Sequence, residues 1–196
     1  MRHLFAALFV LTNPLAVQAA DAVKETSYVA NGSRVLRHEV VVAASAADAW
    51  SAFTTVDGWR SWAAPYVTLS TTQLAVDAEL ESSYDLNAKP NDERNIRQRV
   101  LAYIPERMFA FRTVQSPKDF PFPEEVRQVF SVVEFESLGA KRTRVSLSMI
   151  GYGSGARFDG LYGFFSKGNP WSLAKLVERF ETGPVDWKKA LAKPAH

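Results

Sequence analysis

The sequence predicts an α+β domain in which a curved antiparallel sheet wraps a long C-terminal helix. Three observations carry that expectation. From residue 66 to residue 152 apolar and polar side chains alternate with period two, in segments separated by turn residues. Leu173, Leu176, Val177 and Phe180 then follow the i, i+3, i+4, i+7 spacing of a helix with one buried face. Both ends of that helix are marked. Asn169 and Pro170 suit an N-cap and a first helical position, and Gly183-Pro184 suits a stop. Phe158, Leu161, Tyr162 and Phe165 repeat the spacing just upstream. The pattern is met by a short helix broken near Gly168 or by one kinked helix running through.

The chain opens with Arg2, an apolar run over 4–11, a break at Asn13-Pro14 and small residues at Val17 and Ala19. This is the layout of a cleavable secretory signal over 1–19, with cleavage expected near Ala19 or Ala20. A periplasmic or secreted protein follows, with no stable membrane anchor once the signal is removed. Residues 20–33 read as a linker ending in the Asn31-Gly32 turn signal, with an early edge strand over 27–30. The stretch 35–43 (VLRHEVVVA) is a strand. Ser45 with Asp48 three residues on starts a helix whose apolar side is Ala46, Ala49, Trp50 and Phe53.

Strands are expected over 67–70, 78–86, 96–104 and 108–114, the last two joined by the short Pro105-Glu106-Arg107 turn. The 115–123 stretch holds Pro117, Pro121 and Pro123 around Phe120 and Phe122 and must lie outside the sheet. A second hairpin is expected over 126–136 and 143–152. The domain is placed at 34–183, and 184–196 is read as a basic, fraying tail.

The 196 residues are 47% hydrophobic and 22% charged, a globular composition. The 23 basic and 21 acidic residues are scattered, so nucleic acid is not an expected partner. There is no cysteine, which excludes disulfides, thiolate chemistry and lipoprotein processing.

The run HEVVVAASAADAWSAFTTVDGWRSWAAP (38–65), with Trp50, Trp62 and Pro65, resembles the opening of START-like, or SRPBCC, proteins. It is most similar to the branch related to the chaperone-ATPase-activator homology domain. VLAYIPERMFAFRT (100–113) resembles that family's strand, turn and strand, and 171–180 its long terminal helix. The resemblance covers about 35–182. It implies a helix-grip fold with a cavity between sheet and helix. Relatives use such a cavity for lipids, sterols, polyketides, hormones or aromatic compounds; some are cyclases, and some bind a chaperone.

The resemblance also implies a pocket lined by Trp62, Tyr66, Met108, Arg112, Ser131, Val133, Phe135, Leu147, Met149, Phe158, Tyr162 and Phe165. Aromatic and Met side chains suit an apolar ligand; for any single one of them, plain core packing is the ordinary role. Arg97, Arg99, Glu79, Glu81 and Asp85 are expected on the wet face of the sheet as cross-strand pairs. Arg112 is expected inward, in phase with Met108 and Ala110, where it would anchor an acid group.

Catalytic signals are weak. His3 lies in the expected signal and His196 ends the sequence, so His38 is left without a second histidine for a metal site and without a nucleophile partner, and is expected to be a satisfied or exposed strand residue. Gly151-x-Gly-x-Gly155 lacks the βαβ setting of a dinucleotide site. No catalytic residue, metal or cofactor is assigned. The reading is an exported binder of a hydrophobic or aromatic small molecule, lipid-like or acid-bearing. A cyclase or isomerase using the same cavity, or an interaction module related to chaperone-ATPase activators, are the alternatives. The loop holding Phe120 and Phe122 is either a partner-binding patch or a lid.

Overall fold

A computed structural model describes residues 23–192 of the chain. The expected signal segment lies outside the described residues. In order come β1 (Lys24–Glu25), β2 (Tyr28–Ala30), β3 (Ser33–Val42), α1 (Ala46–Thr54), α2 (Val56–Arg60), β4 (Tyr66–Leu69) and β5 (Glu79–Ser83). They are followed by β6 (Ile96–Ile104), β7 (Met108–Gln115), α3 (Pro123–Val126), β8 (Phe130–Gly139), β9 (Arg142–Tyr152), α4 (Ala156–Thr182) and α5 (Trp187–Ala192).

The strands form one antiparallel sheet in the order β1-β3-β9-β8-β7-β6-β5-β4, with β2 also paired to β3. Asn31 and Gly32 both have positive φ, 49° and 76°, which a two-residue hairpin turn between β2 and β3 requires.

Register sorts the side chains into two faces, because paired residues on neighbouring strands point the same way. Leu36, Met149, Ser131, Phe111 and Val100 form one row across five strands. Their face is concave and grips α4, the helix-grip arrangement. The helix buries Leu161, Leu173, Leu176 and Val177 against it. The convex face carries the charges. Arg99 donates to Glu79 at 2.7 Å, and Arg97 lies 3.6 Å from the same carboxylate. Glu81 is buried beneath the loop after β5, accepting from the Asn91 N–H at 2.8 Å and the Asn95 amide at 3.0 Å.

Three expectations change. α4 is one helix of 27 residues, so Asn169 is a buried interior residue and no N-cap, and Pro170 sits inside it. The 115–123 loop leads into the short helix α3, and β8 starts at Phe130, not 126. The tail does not fray over its described part. The Val185 N–H donates to Ser61 O at 2.9 Å, and the buried Trp187 donates its indole N–H to Arg60 O at 2.8 Å.

Leu176 is wholly buried between α4 and the sheet. Leu176→Ala is expected to lower stability by about 2–5 kcal/mol, the usual range for a leucine cavity, read as a lower denaturant midpoint with an unchanged slope.

Candidate functional site

The space between the concave face and α4 holds two packed clusters. The larger lies toward α1 and α2 and contains Val40, Trp62, Phe109, Val133, Phe135 and Leu176, among others. Its aromatic side chains are tied down. The Trp62 indole N–H donates to Ala52 O at 2.8 Å, and its ring centroid lies 4.7 Å from that of Phe53. Phe135 meets Phe53 and Trp50 edge-on at 5.4 and 5.7 Å. This half is filled core.

The second cluster is built differently. Leu36, Val126, Val129, Met149, Tyr152 and Leu161 are buried, and Phe120, Phe122, Phe158, Tyr162 and Phe165 pack on them while only partly buried. Phe164 stays 46% exposed at its rim, with Phe120 edge-on at 5.1 Å. A half-wet aromatic cluster is looser than a core and adapts to what it meets.

Residues 116–122 and α3 close over this half as a lid. Gly160 gives the lid its seat, because a Cβ there would come within 2.6 Å of the Phe122 ring. Arg157 is the latch. Its Nη2 reaches the buried Glu125 carboxylate at 2.9 Å and Pro121 O at 3.0 Å, and its guanidinium lies 5.8 Å from the Phe122 ring centroid. The hydrogen bond from Arg157 holds the Glu125 carboxyl below its ordinary range, against the opposing pull of burial.

The twelve expected lining residues therefore divide. Met149, Phe158, Tyr162 and Phe165 belong to the aromatic half, with Ser131 beside Met149 in register. Trp62, Val133, Phe135 and Leu147 belong to the packed half. Tyr66, Met108 and Arg112 lie on the convex face, away from the interface between the sheet and α4. Phe109 and Phe111 take the inward phase of β7, so Met108 pairs with Glu134, and Arg112 with Arg99 and Phe130. On β4, Val67 is inward and fully buried, which turns Tyr66 to the face of Ser83, Thr68 and Glu81.

His38 is also placed differently from its expectation. It shares the concave face with Leu36 and Val40 and has no exposed surface. Neither ring nitrogen makes a hydrogen bond among the described residues; Nε2 lies 3.5 Å from Glu25 Oε2. Burial pushes the imidazole below its ordinary value, outweighing the pull of the Glu25 charge and contact. Its apolar partners Leu36 and Val40, two residues to either side, were the sequence signal for that inward placement.

Two open clefts lie at the surface. One of about 440 Å³ runs between α1, α2 and the end of α4, beside Asp48, Asp57 and Arg179. The other, about 960 Å³, surrounds the β6–β7 turn and takes in Met108. Among the described residues no group of three or more His, Asp or Glu side chains is placed to hold a metal, and no helix is long and apolar enough to cross a membrane.

The family model described as polyketide cyclase / dehydrase and lipid transport matches residues 33–181. Among curated proteins, none matches the chain in sequence. Solved structures share the fold. A Mesorhizobium loti protein aligns with TM-score 0.58 at 15% identity, over 78% of this chain and 100% of its own. The Aha1 dimer from Colwellia psychrerythraea gives 0.56 at 16%, over 76% and 97%. Norcoclaurine synthase from Thalictrum flavum, solved with dopamine and hydroxybenzaldehyde, gives 0.51 at 12%, over 100% of both chains. At these identities the likeness establishes the fold alone.

A carboxyl lowered by its partner stabilises the fold at pH values above its ordinary range, and that contribution is lost as pH falls through the lowered value. The lid is therefore expected to stay latched at pH 7 and pH 5 and to loosen only in stronger acid. Limited proteolysis across residues 115–127 checks this. Arg157→Gln is expected to raise cleavage there several-fold at neutral pH while the rest of the chain stays resistant.

Proposed function

The chain belongs to the polyketide cyclase / dehydrase and lipid transport family of the SRPBCC superfamily, and from that premise we propose that it is an exported protein that binds a hydrophobic or aromatic small molecule without chemical conversion. The aromatic half of the chamber is the site. The observation that carries this reading is the asymmetry between the two clusters. One is a filled core with its indoles hydrogen-bonded into place. The other is a set of half-buried aromatic rings under a lid fastened by Arg157 and by the exposed Lys118–Glu93 pair. Large, adaptable apolar side chains with a closable mouth suit capture of an apolar molecule. The norcoclaurine synthase structure supports the binding part of the reading, since that enzyme of the same fold is found with two small aromatic molecules.

An acid-bearing ligand loses its motivation. That expectation rested on Arg112 facing inward, and Arg112 lies on the convex face. Export rests on the 1–19 segment and its small residues at Val17 and Ala19.

Native mass spectrometry on protein recovered from the periplasm of its own host, followed by organic extraction, tests both parts. The expected result is a mature chain starting near Ala20, carrying a reproducible extra mass that leaves on denaturation and partitions into the organic phase. A chain retaining residues 1–19 would overturn export. A bare mature chain showing no thermal shift with lipids or small aromatics would overturn ligand binding.

A further inference from the structure

Glu25, Ser27, His38, Tyr162 and Ser166 meet where α4 lies along β3 at the β1 edge of the sheet. The Glu25 carboxylate is fixed from two sides, accepting from the Ser27 hydroxyl at 2.9 Å and the Ser166 hydroxyl at 3.0 Å. Burial opposes its ionisation, but hydrogen bonding from Ser27, Ser166 and Tyr162 outweighs that, so the carboxyl sits below its ordinary range. Glu25 and His38 are register partners on β1 and β3, which brings Nε2 to 3.5 Å from the carboxylate.

A neutral imidazole has one N–H and one bare nitrogen. The carboxylate beside Nε2 places the proton there, as the partner of one ring nitrogen sets the character of the other. Nδ1 is then an acceptor, fully buried and with no partner among the described residues. Its strand neighbours on that face are Leu36 and Val40, and Leu147 is its cross-strand partner. Buried polar atoms in folded proteins are nearly always hydrogen-bonded, and an exception calls for an explanation.

Other polar groups of the chamber are also weakly engaged. Among the described residues, buried Asn169 on α4 donates its amide to the Met149 thioether at 3.4 Å, a poor acceptor. Ser131 lies beside Met149 on the concave face.

We propose that His38, oriented by Glu25, is the polar anchor of the chamber, and that its Nδ1 accepts a hydrogen bond from a hydroxyl or phenol group on an otherwise apolar ligand. The inference rests on the ligand-binding reading above and narrows its chemistry. A bare nitrogen beside a carboxylate takes an O–H donor and repels a carboxylate ligand. His38 is a specificity-determining residue in this account, and Glu25 a positioning residue.

The test compares 2-naphthol with 2-methoxynaphthalene by fluorescence titration of the full chain. The two probes share an apolar body, and only the first can donate. The wild type is expected to bind the naphthol about tenfold tighter, near the value of one hydrogen bond. His38→Leu is expected to erase the preference and keep ether binding. His38→Asn, which leaves an oxygen acceptor near the Nδ1 position, is expected to restore part of it. Equal affinity for both probes in the wild type, or an unchanged preference in His38→Leu, overturns the anchor and leaves ligand binding standing. Failure to bind either probe overturns both readings.

Ring ¹⁵N spectra of the wild type add a readout that needs no variant to fold. Nδ1 is expected to be unprotonated and to shift with 2-naphthol but not with the ether. A protonated Nδ1, or one insensitive to the naphthol, contradicts the proposal.

Discussion

One contact organises the molecule: the apolar stripe of α4 pressed along the concave face of the sheet. Leu161, Leu173, Leu176 and Val177 are at most 4% exposed there. Burial of that stripe fixes which phase of each strand points inward, because a sheet half-covered by one helix has one dry face and one wet one. The rest follows from that choice. The dry face receives Leu36, Val100, Phe111 and Met149, and the wet face receives the Arg97, Arg99 and Glu79 cluster. The end of α4 nearest Gly155 carries Arg157 and Gly160, which latch and seat the lid.

Much of this was legible in the sequence, and the failures have particular causes. The period-two segments and the i, i+3, i+4, i+7 spacing marked the sheet and its helix, because both patterns report one buried face. β7 misled. Its stretch Met108-Phe109-Ala110-Phe111-Arg112 is apolar in both phases, and the phase of Met108, Ala110 and Arg112 was chosen as inward. The two phenylalanines bury more area than methionine and alanine, and they win the dry face.

Asn169-Pro170 misled in another way. The pair is a good helix start, yet tertiary packing carries the helix through it. Proline in a helix interior removes the hydrogen bond to the carbonyl four residues back, here that of Ser166. Burial of Leu161 before it and of Leu173, Leu176 and Val177 after it outweighs that loss. The buried place of Trp187 was not legible either, since the groove it fills exists only once α2 has folded.

The two halves of the sheet–helix interface are held in different ways. The half near α1 and α2 is closed by aromatic packing and indole hydrogen bonds, and has no obvious means of opening. The half under α3 is held by partly exposed rings, the Arg157–Glu125 pair and the exposed Lys118–Glu93 pair. Segments that open at low cost are those with few buried contacts and hydrogen bonds near solvent. His38 sits along the wall between the two halves, its strand neighbours Leu36 and Val40 belonging one to each cluster.

The central claim is that ligand enters the aromatic half of the chamber and not a surface cleft. The described part of the chain contains two methionines, Met149 inside that half and Met108 on the convex face beside the β6–β7 cleft. Methionine-methyl NMR during titration with an aromatic ligand reads both positions in one spectrum. The account predicts that the Met149 methyl shifts and saturates while the Met108 methyl holds still. Movement of Met108 with a silent Met149 would place the ligand in the surface cleft and contradict the account.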